Sequence, residues 1–460
     1  ANDGSIALSG LPVITYTGLE GGQRSLDLQG LSVSDLTLNF SAANDTINLS
    51  DAEGPTDISS PFSLGTRISN PSGTLVVNGG DGNDTITITE LALGFSGDLI
   101  LDGGNGIDSI SIDGDVSLAS NKSFIVSAEV ISVNATLSLA GTGNVTLVST
   151  GDITTQTNAS ITTENGDITL QSGGNVTINA NLATTGTAEA NLLVQADGDI
   201  VFNSGADVSA NGVFNVVLNS NFDESGSGAI ILNSGTVIDS NNGNLTVGGG
   251  ANPLTTAAVG ASGITEGYGV NLLDAQLLSG NGNLSVRGQG GSSSTGESNM
   301  GVHLISNSLI QTANGNLSIA GTGGTGSGLN NHVGVSVQQG SNVIVTGSGT
   351  ITITGVAGEG VSRGIAVEDA GSTIQALGTG ALNLFATGGA PGSLREMGGF
   401  AMKAGGAVLA PGGADINVVV DSVGADLFVL DTDAGTLSGT GNLTIRPAIA
   451  STSIGIGGGT

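Results

Sequence analysis

The sequence lacks several residue types that common protein classes need. Its 460 residues include no Cys and no Trp, and aromatic residues make up only 3 %. Without Cys there can be no disulfide staples, no Cys-ligated zinc and no thiol nucleophile. Only 8 Lys and Arg stand against 39 Asp and Glu, giving a formal net charge of −31 at pH 7. This balance excludes a nucleic-acid or anionic-membrane binder, because both need clustered cations to neutralise phosphate.

Long hydrophobic runs are also missing, and so is the composition of a disordered chain. No apolar run approaches the roughly 20 residues that a membrane-spanning helix needs, so we expect no membrane insertion. The chain opens at Ala1 without a Met, as a processed or excised segment would. Charged residues are only 10 % and there are 8 Pro, which argues against disorder. Val, Ile and Leu instead alternate with Thr, Ser and Asn, the period-two pattern of strands.

Two short phrases recur along most of the chain. The first is Gly-Asn/Asp-Φ-Thr/Ser-Φ, with Φ apolar, and its clearest copies begin at Gly143, Gly166, Gly174, Gly198, Gly243, Gly282, Gly315 and Gly441. From Gly243 onward, counting looser copies, the intervals are 39, 33, 34, 31, 33 and 28 residues. The second phrase, Gly-Φ-x-Φ, runs in step with the first, at Gly269, Gly301, Gly334, Gly364 and Gly399. A third apolar patch lies between the two phrases in each repeat.

Each repeat therefore holds three short strands separated by Gly-rich corners, with no helical period. Three strands in each ~32 residues predict an all-β fold, a right-handed parallel β-helix with three sheets and an elongated form. Coils stacked ~4.8 Å apart would enclose a narrow core of Val, Ile and Leu, into which we expect large rings not to fit. The alternative fold is a series of β-sandwich domains, which usually carry a buried Trp or Tyr and no sustained repeat.

The chain divides into three regions by composition. Residues 1–35 lack the first phrase and are interpreted as a cap, a linker or the continuation of a preceding region. Residues 36–130 are interpreted as acidic, Gly/Asp-rich solenoid coils, and residues 131–460 as the regular β-helix. Residues 1–130 hold 17 of the 39 acidic side chains. The acidic region is therefore where a cation site is to be sought.

Two stretches, 79–88 and 103–112, resemble the Gly-Gly-x-Gly-x-Asp-x-Φ-x nonapeptide of RTX-type calcium β-rolls. In that family, turn carbonyls and Asp carboxylates bind calcium, so the resemblance implies Asp81, Asp84 and Asp108 as calcium ligands. RTX sites are made by tandem nonapeptides, whereas these two copies lie 24 residues apart, nearer to one coil of a β-helix. The alternative is that each Asp caps a turn by hydrogen bonding to the backbone and binds nothing.

Because many parallel β-helices are polysaccharide lyases or hydrolases, an enzyme is the main alternative function. That chemistry needs paired carboxylates, and lyases add Arg or Lys. The best cluster comprises Glu359, Arg363, Glu368 and Asp369, with Arg395 and Glu396 a coil later. We expect these charges to be solvated rim residues or weak surface ion pairs, and His303 and His332 to be surface-facing structural histidines. No catalytic residue and no organic cofactor is predicted.

The repeat phrases themselves resemble a known family. Gly-Asp-Ile-Thr-Leu at 166–170 and Gly-Asn-Leu-Thr-Val at 243–247 are similar to the filamentous-haemagglutinin-type repeats of very long bacterial surface proteins. The resemblance covers most of residues 130–460 and, more loosely, 35–130. It implies a non-enzymatic, extracellular or cell-surface β-helix with a structural or adhesive role. Its partners would be further copies of itself, neighbouring surface proteins or glycans.

Two further expectations concern assembly and the alternatives to an adhesin. No amphipathic capping helix is seen at either end, so we expect a segment of a longer fibre or a subunit that stacks end to end. Fifteen or so coils would give a rod on the order of 70 Å long. The alternative functions are a carbohydrate-active β-helix enzyme and a calcium-dependent surface-layer or matrix module.

Overall fold

The computed structural model describes residues 4–8, 14–16, 26–28, 34–51, 56–60, 63–91, 93–261, 266–293, 298–326, 332–359, 362–389, 399–421 and 435–448. Within these ranges the regular structure is all strand, and there is no helix long and apolar enough to cross a membrane. The chain forms two compact units. The N-terminal unit is Ala1–Gln195 with Ala206–Val213, and the C-terminal unit is Ala196–Gly205 with Phe214–Thr460.

Strands in the first half of the chain are mostly three to six residues long. In chain order they are β1 (Gly4–Leu8), β2 (Ile14–Tyr16), β3 (Leu26–Leu28), β4 (Asp35–Asn39), β5 (Thr46–Asp51), β6 (Thr56–Ser60), β7 (Ser63–Ile68), β8 (Thr74–Asn78), β9 (Asp81–Gly82), β10 (Thr85–Ile88), β11 (Asp98–Asp102), β12 (Asn105–Gly106), β13 (Ser109–Ile112), β14 (Val116–Leu118), β15 (Phe124–Ala128), β16 (Val130–Val133), β17 (Thr136–Leu139), β18 (Val145–Ser149), β19 (Ile153–Thr155), β20 (Ser160–Thr163), β21 (Ile168–Ser172), β22 (Val176–Ile178), β23 (Asn181–Thr184), β24 (Ala190–Ala196), β25 (Ile200–Phe202) and β26 (Val208–Ala210).

Strands in the second half have the same short lengths. In chain order they are β27 (Phe214–Ser220), β28 (Ile230–Leu232), β29 (Val237–Asp239), β30 (Leu245–Gly249), β31 (Ala258–Val259), β32 (Val270–Leu273), β33 (Gln276–Gly280), β34 (Leu284–Gln289), β35 (Ser292–Ser293), β36 (Val302–Ile305), β37 (Leu309–Thr312), β38 (Leu317–Thr322), β39 (Thr325–Gly326), β40 (Val335–Val337), β41 (Asn342–Val345), β42 (Ile351–Val356), β43 (Ile365–Glu368), β44 (Thr373–Ala376), β45 (Leu382–Thr387), β46 (Phe400–Lys403), β47 (Ala407–Ala410), β48 (Ile416–Asp421), β49 (Thr436–Gly439) and β50 (Leu443–Pro447).

In the N-terminal unit the strands stack into three parallel sheets. The first sheet is β4–β8–β11–β15–β18–β21, the second is β5–β10–β13–β16–β19–β22, and the third is β14–β17–β20–β23–β26. At the start of the chain, β1 lies antiparallel on β4 and β2 antiparallel on β1. β6 likewise lies antiparallel on β5 and β7 on β6. The strands near the start of the chain therefore include antiparallel pairs, unlike the parallel pairs of the later coils. The domain boundary expected at residue 35 stays a prediction.

The C-terminal unit repeats the same arrangement with longer coils. Its first sheet is β27–β30–β34–β38–β42–β45–β48–β50, its second is β25–β28–β32–β36–β40–β43–β46, and its third is β29–β33–β37–β41–β44–β47–β49. All of these pairings are parallel. The prediction of an all-β parallel β-helix is confirmed. That the helix is right-handed stays a prediction.

The core is built from identical positions stacked in register. On the second sheet of the N-terminal unit, Ile47, Ile86, Ile110 and Ile131 follow one another and are fully buried. The expectation about large rings is wrong for phenylalanine, since Phe124 is also fully buried. Phe124 stacks between Leu99 and Val145 of the adjoining coils, so the core accommodates a ring between two aliphatic side chains.

Glycines of the second phrase allow two strands of one coil to touch. A Cβ on Gly321, in the first sheet, would lie 2.0 Å from the carbonyl oxygen of Gly334, at the start of the second sheet. A Cβ on Gly355 would lie equally close to the carbonyl oxygen of Gly364. Only glycine permits backbone contact this close. The invariant place of glycine in the phrase is thus explained by a backbone-to-backbone contact repeated from coil to coil.

Candidate functional site

The polar residue of the first phrase has a structural task. In the C-terminal unit it forms a row that comprises Asn215, Asn244, Asn283, Asn316 and Thr350. Oδ1 of each asparagine accepts a hydrogen bond from the backbone N–H of the next row member, at 3.0 to 3.1 Å. These amides lie at a corner, where the strand ladder leaves them without a carbonyl partner. The phrase therefore recurs because each coil caps its neighbour.

The acidic residues of the N-terminal unit form a comparable row just before the second sheet. The backbone N–H of Asp45 donates to Asp84 Oδ1 at 2.6 Å, and that of Asp84 donates to Asp108 Oδ1 at 2.7 Å. The N–H of Asp108 in turn donates to Glu129 Oε2 at 2.8 Å. Asp45, Asp84 and Asp108 are all buried, with 1 to 2 % exposure. The arrangement is the backbone capping that the sequence left open as the alternative to calcium.

Burial of these carboxylates changes how they titrate. Desolvation raises the pKa of Asp84 to about 6, helped by the charges of Asp108 and Asp45 and opposed by the hydrogen bond from the Asp45 backbone. Desolvation also raises the pKa of Asp108, and the charge of Glu129 acts in the same direction. Among the described residues, Oδ2 of Asp84 and Oδ2 of Asp108 have no hydrogen-bond partner. Asp84 and Asp108 are therefore each satisfied on one carboxylate oxygen only.

The direction of capping separates these acids from the other rows. Asp84 and Asp108 reach back to the amide of the preceding coil. Asp152 reaches forward, and its Oδ1 accepts from the N–H of Asn175 at 2.7 Å. Asp152 is exposed whereas Asp84 and Asp108 are buried. The side chains of Asp84 and Asp108 are thus turned inward, beside the glycines of their own turns.

Asp81 lies in a different, exposed row. It belongs to the two-residue strand β9, which pairs in parallel with β12, and its Oδ1 accepts from Asn105 Nδ2 at 2.9 Å. Next to it is an open groove of about 530 Å³, lined mainly by Ser41, Asn78, Asp81, Asp102 and Asn105. Two carboxylates and two amides make this groove polar and negative.

The three acids named from the sequence do not converge on one point, because Asp81 lies in an exposed row and Asp84 and Asp108 lie in a buried one. Calcium takes six to eight oxygen ligands, but Asp84 and Asp108 each have one oxygen bonded to an amide. Their second oxygens lie beside glycines, since a Cβ on Gly79 would lie 2.6 Å from Asp84 Oδ2 and one on Gly103 would lie 2.7 Å from Asp108 Oδ2. Over the described ranges, no three or more His, Cys, Asp or Glu side chains are grouped so as to hold a metal ion. Calcium at Asp81, Asp84 and Asp108 stays a prediction.

The charged cluster of the C-terminal unit differs from its expected form. Arg363 is only 6 % exposed, and its Nη1 lies 2.9 Å from Glu368 Oε1. Glu368 also accepts from Gln338 Nε2 at 3.3 Å, and Asp369 accepts from the Gln339 backbone at 3.2 Å. The expectation of solvated rim charges is therefore wrong for Arg363, because its side chain lies under neighbouring residues. Glu359 is exposed, and Arg395 and Glu396 lie outside the described residues.

Both histidines are buried, so the expectation that they face the surface is wrong. His303 is 4 % exposed and His332 is fully buried. Nδ1 of His303 lies 3.0 Å from Asn271 Oδ1, and its ring centroid is 4.7 Å from that of Tyr268. Burial lowers the pKa of His303 to about 4, and a hydrogen bond with the Gln338 side chain opposes this shift. Burial also lowers the pKa of His332, with the charge of Glu359 opposing it. Both imidazoles are thus held neutral at pH 7.

The cover over these histidines was missed from the sequence. Met300, Val333 and Ala366 form a small buried cluster on the outer face of the second sheet, and Tyr268 packs against it. A signal was present: Tyr268, Met300 and Val333 each stand directly before the glycine of the second phrase. Apolar residues in this place on successive coils, together with the apolar Ala366 at an outward strand position, indicate that the outer face of the second sheet is covered.

No protein-family model matches the chain, and neither a curated protein nor a solved structure matches it.

Proposed function

We propose that this chain is a non-enzymatic, extracellular β-helix with a structural or adhesive role. The observation that carries the proposal is the asparagine row from Asn215 to Asn316, in which the repeated polar side chains cap neighbouring coils. A repeat whose polar positions serve coil-to-coil bonding builds length and surface, and it leaves few residues for chemistry. The resemblance to filamentous-haemagglutinin-type repeats supports the same reading and adds a bacterial surface location.

The charges of the C-terminal unit support a non-enzymatic role. Sugar-cleaving β-helices need carboxylates that converge in an open groove, and lyases need a free cation beside them. Here Arg363 is paired with Glu368 in a largely buried ion pair. A guanidinium that is buried and already paired with a carboxylate is poorly placed to bind a substrate carboxylate.

Partners would be reached through the strand faces or through further copies of the chain. With a net charge of −31, two copies repel one another wherever their charged sides meet. We therefore propose self-association at weakly charged surfaces, or contact with neighbouring surface proteins or glycans. End-to-end stacking is the specific form of self-association that the open ladder of a solenoid favours.

One experiment separates the adhesive role from the enzymatic alternative. The purified chain is incubated with a panel of insoluble polysaccharides, and both the retained protein and the released sugar ends are measured. Retention without release is the expected result, with a heat-denatured sample as control. Release that disappears in Glu368→Gln would overturn the proposal and favour the carbohydrate-active enzyme. Sedimentation of the same preparation tests assembly: compact monomers that persist at high concentration would contradict end-to-end stacking.

A further inference from the structure

The open groove of the N-terminal unit lies along the corner between the first sheet and the second. Its residues come from three successive coils, whose first-sheet strands β4, β8 and β11 end in register at Asn39, Asn78 and Asp102. Its volume of about 530 Å³ falls within the range of roughly 300–1,000 Å³ that is typical of small-ligand sites. The groove therefore has the size that a bound ligand requires.

Two of these coils each give the groove one carboxylate and one carboxamide. The middle coil supplies Asn78 and Asp81, and the next coil supplies Asp102 and Asn105. Asn78 and Asp102 are partners in register at the end of the first sheet, while Asp81 and Asn105 are partners on the short strands β9 and β12. Amide and carboxylate therefore alternate both within a coil and between coils. A surface of this kind both donates and accepts hydrogen bonds, as a hydroxyl group does.

Phe40 adds an aromatic ring from the first of the three coils. It directly follows the strand β4, so it occupies the place that Gly79 and Gly103 occupy in the next two coils. The backbone bonding is the same, since the N–H of Phe40 donates to the Asn78 carbonyl oxygen at 2.9 Å and that of Gly79 donates to the Asp102 carbonyl oxygen at 2.8 Å. Phe40 is half-buried and lines the groove. A partly open ring beside polar side chains offers an apolar face to a ligand.

Glycine backbone between these side chains is held in place by buried groups. A Cβ on Gly80 would clash with the carbonyl oxygen of Ser41, and a Cβ on Gly104 would clash with that of Gly80. Glycine at both places lets the coils stack closely and leaves the backbone accessible to a ligand. Ser41 Oγ donates to Asp45 Oδ2 at 2.8 Å, and Asp45 belongs to the buried acidic row. The turn is thus fixed before a ligand arrives, which lowers the entropy lost on binding.

We propose that this groove binds a glycan through a sugar unit that carries hydroxyl groups and no acid group. The inference rests on the proposed function, in which glycans are among the partners, and it adds the site and the class of sugar. Hydroxyl groups fit the alternating amides and carboxylates because they both donate and accept, and the C–H face of a sugar ring fits the ring of Phe40. An acidic sugar would meet Asp81 and Asp102, with no cation among the described lining residues to offset the repulsion.

A cation fits the groove less well than a sugar does. It needs acceptors alone, whereas Asn78 and Asn105 also present N–H donors. One oxygen of each carboxylate already accepts a hydrogen bond, Asp81 Oδ1 from Asn105 Nδ2 at 2.9 Å and Asp102 Oδ1 from the Gly104 backbone at 3.2 Å. A basic peptide and a metal ion are therefore the alternatives that the experiment has to exclude.

Titration calorimetry on the full chain tests the contact with the ring. The neutral probes are oligosaccharides of glucose, galactose, mannose and N-acetylglucosamine, and the acidic probe is oligogalacturonate. We expect at least one neutral probe and not the acidic one to bind, with an affinity that falls about tenfold in Phe40→Ala because an apolar contact is lost. Phe222→Ala, which removes a partly exposed ring of the C-terminal unit, is the matched control and leaves the affinity unchanged.

A second variant keeps this test valid if Phe40→Ala fails to fold. Ala42→Gln extends an exposed lining residue into the groove without removing a packed ring, and it should weaken binding to a similar extent. Thermal melting shows which variants are folded. The absence of binding by every neutral probe overturns the proposal, and so does an unchanged affinity in the folded groove variants.

Removal of charge separates a sugar from a cation. The double variant Asp81→Asn with Asp102→Asn keeps polar side chains at both places and removes both charges. We expect its affinity for the neutral sugar to change by no more than about threefold. Oligolysine or calcium that binds the unchanged chain and not the double variant, with no neutral sugar bound, overturns the proposal.

Retention on insoluble polysaccharides distinguishes failure of the groove from failure of the proposed function. If the unchanged chain, Phe40→Ala and Ala42→Gln are all retained equally, the groove is not the site, whereas the adhesive role stands. If the unchanged chain is not retained and no sugar probe binds, glycan binding fails for the groove and for the proposed function together. Retention that falls in both groove variants and persists in Phe222→Ala supports the site.

Discussion

The two units treat the second sheet in opposite ways. In the N-terminal unit, outward positions such as Thr87 and Thr154 stay partly open, and the buried titratable groups are the carboxylates of Asp84 and Asp108 at the preceding corner. In the C-terminal unit the outward positions from His303 to Ala401 are buried, and the buried titratable groups include the neutral ring of His303. The same repeat therefore buries carboxylates, which are negative when charged, in one unit and an imidazole, which is positive when charged, in the other. Stacking of each coil on its neighbours is common to both units, so the corners and outer faces are free to differ.

The largest expected effect comes from breaking the glycine contact of the C-terminal unit. Gly321→Ala places a Cβ about 2.0 Å from the Gly334 carbonyl oxygen, so the two strands must separate. We expect the free energy of unfolding of this unit to fall by about 3 kcal/mol. Denaturant titration followed by hydrogen exchange of each unit measures it. Gly226→Ala, where a Cβ meets open space, is the control; an equal loss in both variants would show that the contact is not tight.

The next largest effect is a divergence of the two units with pH. The folded-state pKa of His303, about 4, lies below its ordinary value of 6.5, so acidification from pH 7 to 5 favours the unfolded chain there, by about 2 kcal/mol. The folded-state pKa of Asp84, about 6, lies above its ordinary 3.8, so the same change favours the folded state, by about 1 kcal/mol. Hydrogen exchange at the two pH values should show protection falling around His303 and rising around Asp84.

Variants identify which groups cause that divergence. His303→Asn should remove the part of the acid sensitivity that arises around position 303, because no imidazole is left there to protonate, while the part that arises from the buried His332 remains. A C-terminal unit that gains protection on acidification, or loses it equally in His303→Asn, would contradict the assignment.

A smaller effect tests the charge of the acidic row alone. Asp84→Asn keeps an oxygen to accept from the Asp45 backbone and removes a buried charge whose second oxygen has no partner in the described structure. We expect a gain of about 1 kcal/mol in the stability of the N-terminal unit at pH 7, disappearing near pH 4, where Asp84 is already protonated. Thermal melting at the two pH values measures it. Asp152→Asn, in the exposed row, should change neither melt.

The sequence predicts the ladder well and the outer faces poorly. Strands such as Ile168–Ser172 follow directly from period-two alternation and from the interval between glycine phrases, which are local signals. The inward turn of Asp84, against the outward turn of Asp152, depends on how the Gly79–Gly80 turn folds over the carboxylate, which the spacing does not encode. The cover over His303 depends on Met300 and Val333, which belong to other parts of the coil. Such contacts are tertiary, and pattern alone does not place them.

Calcium removal is expected to have the smallest effect. Asp84 and Asp108 cap amides and Asp81 lies in a separate row, so a cation here would find few free oxygens and bind weakly. A chelator should then shift the melting midpoint of the N-terminal unit by no more than about 1 °C, because weak binding adds little by mass action. A fall of several degrees that calcium but not magnesium restores, and that is absent in Asp84→Asn, would make the carboxylates ligands. The two units would then differ in that the N-terminal unit binds a metal ion at the corner of Asp84 and Asp108, whereas the C-terminal unit covers the outer face of its second sheet near His303.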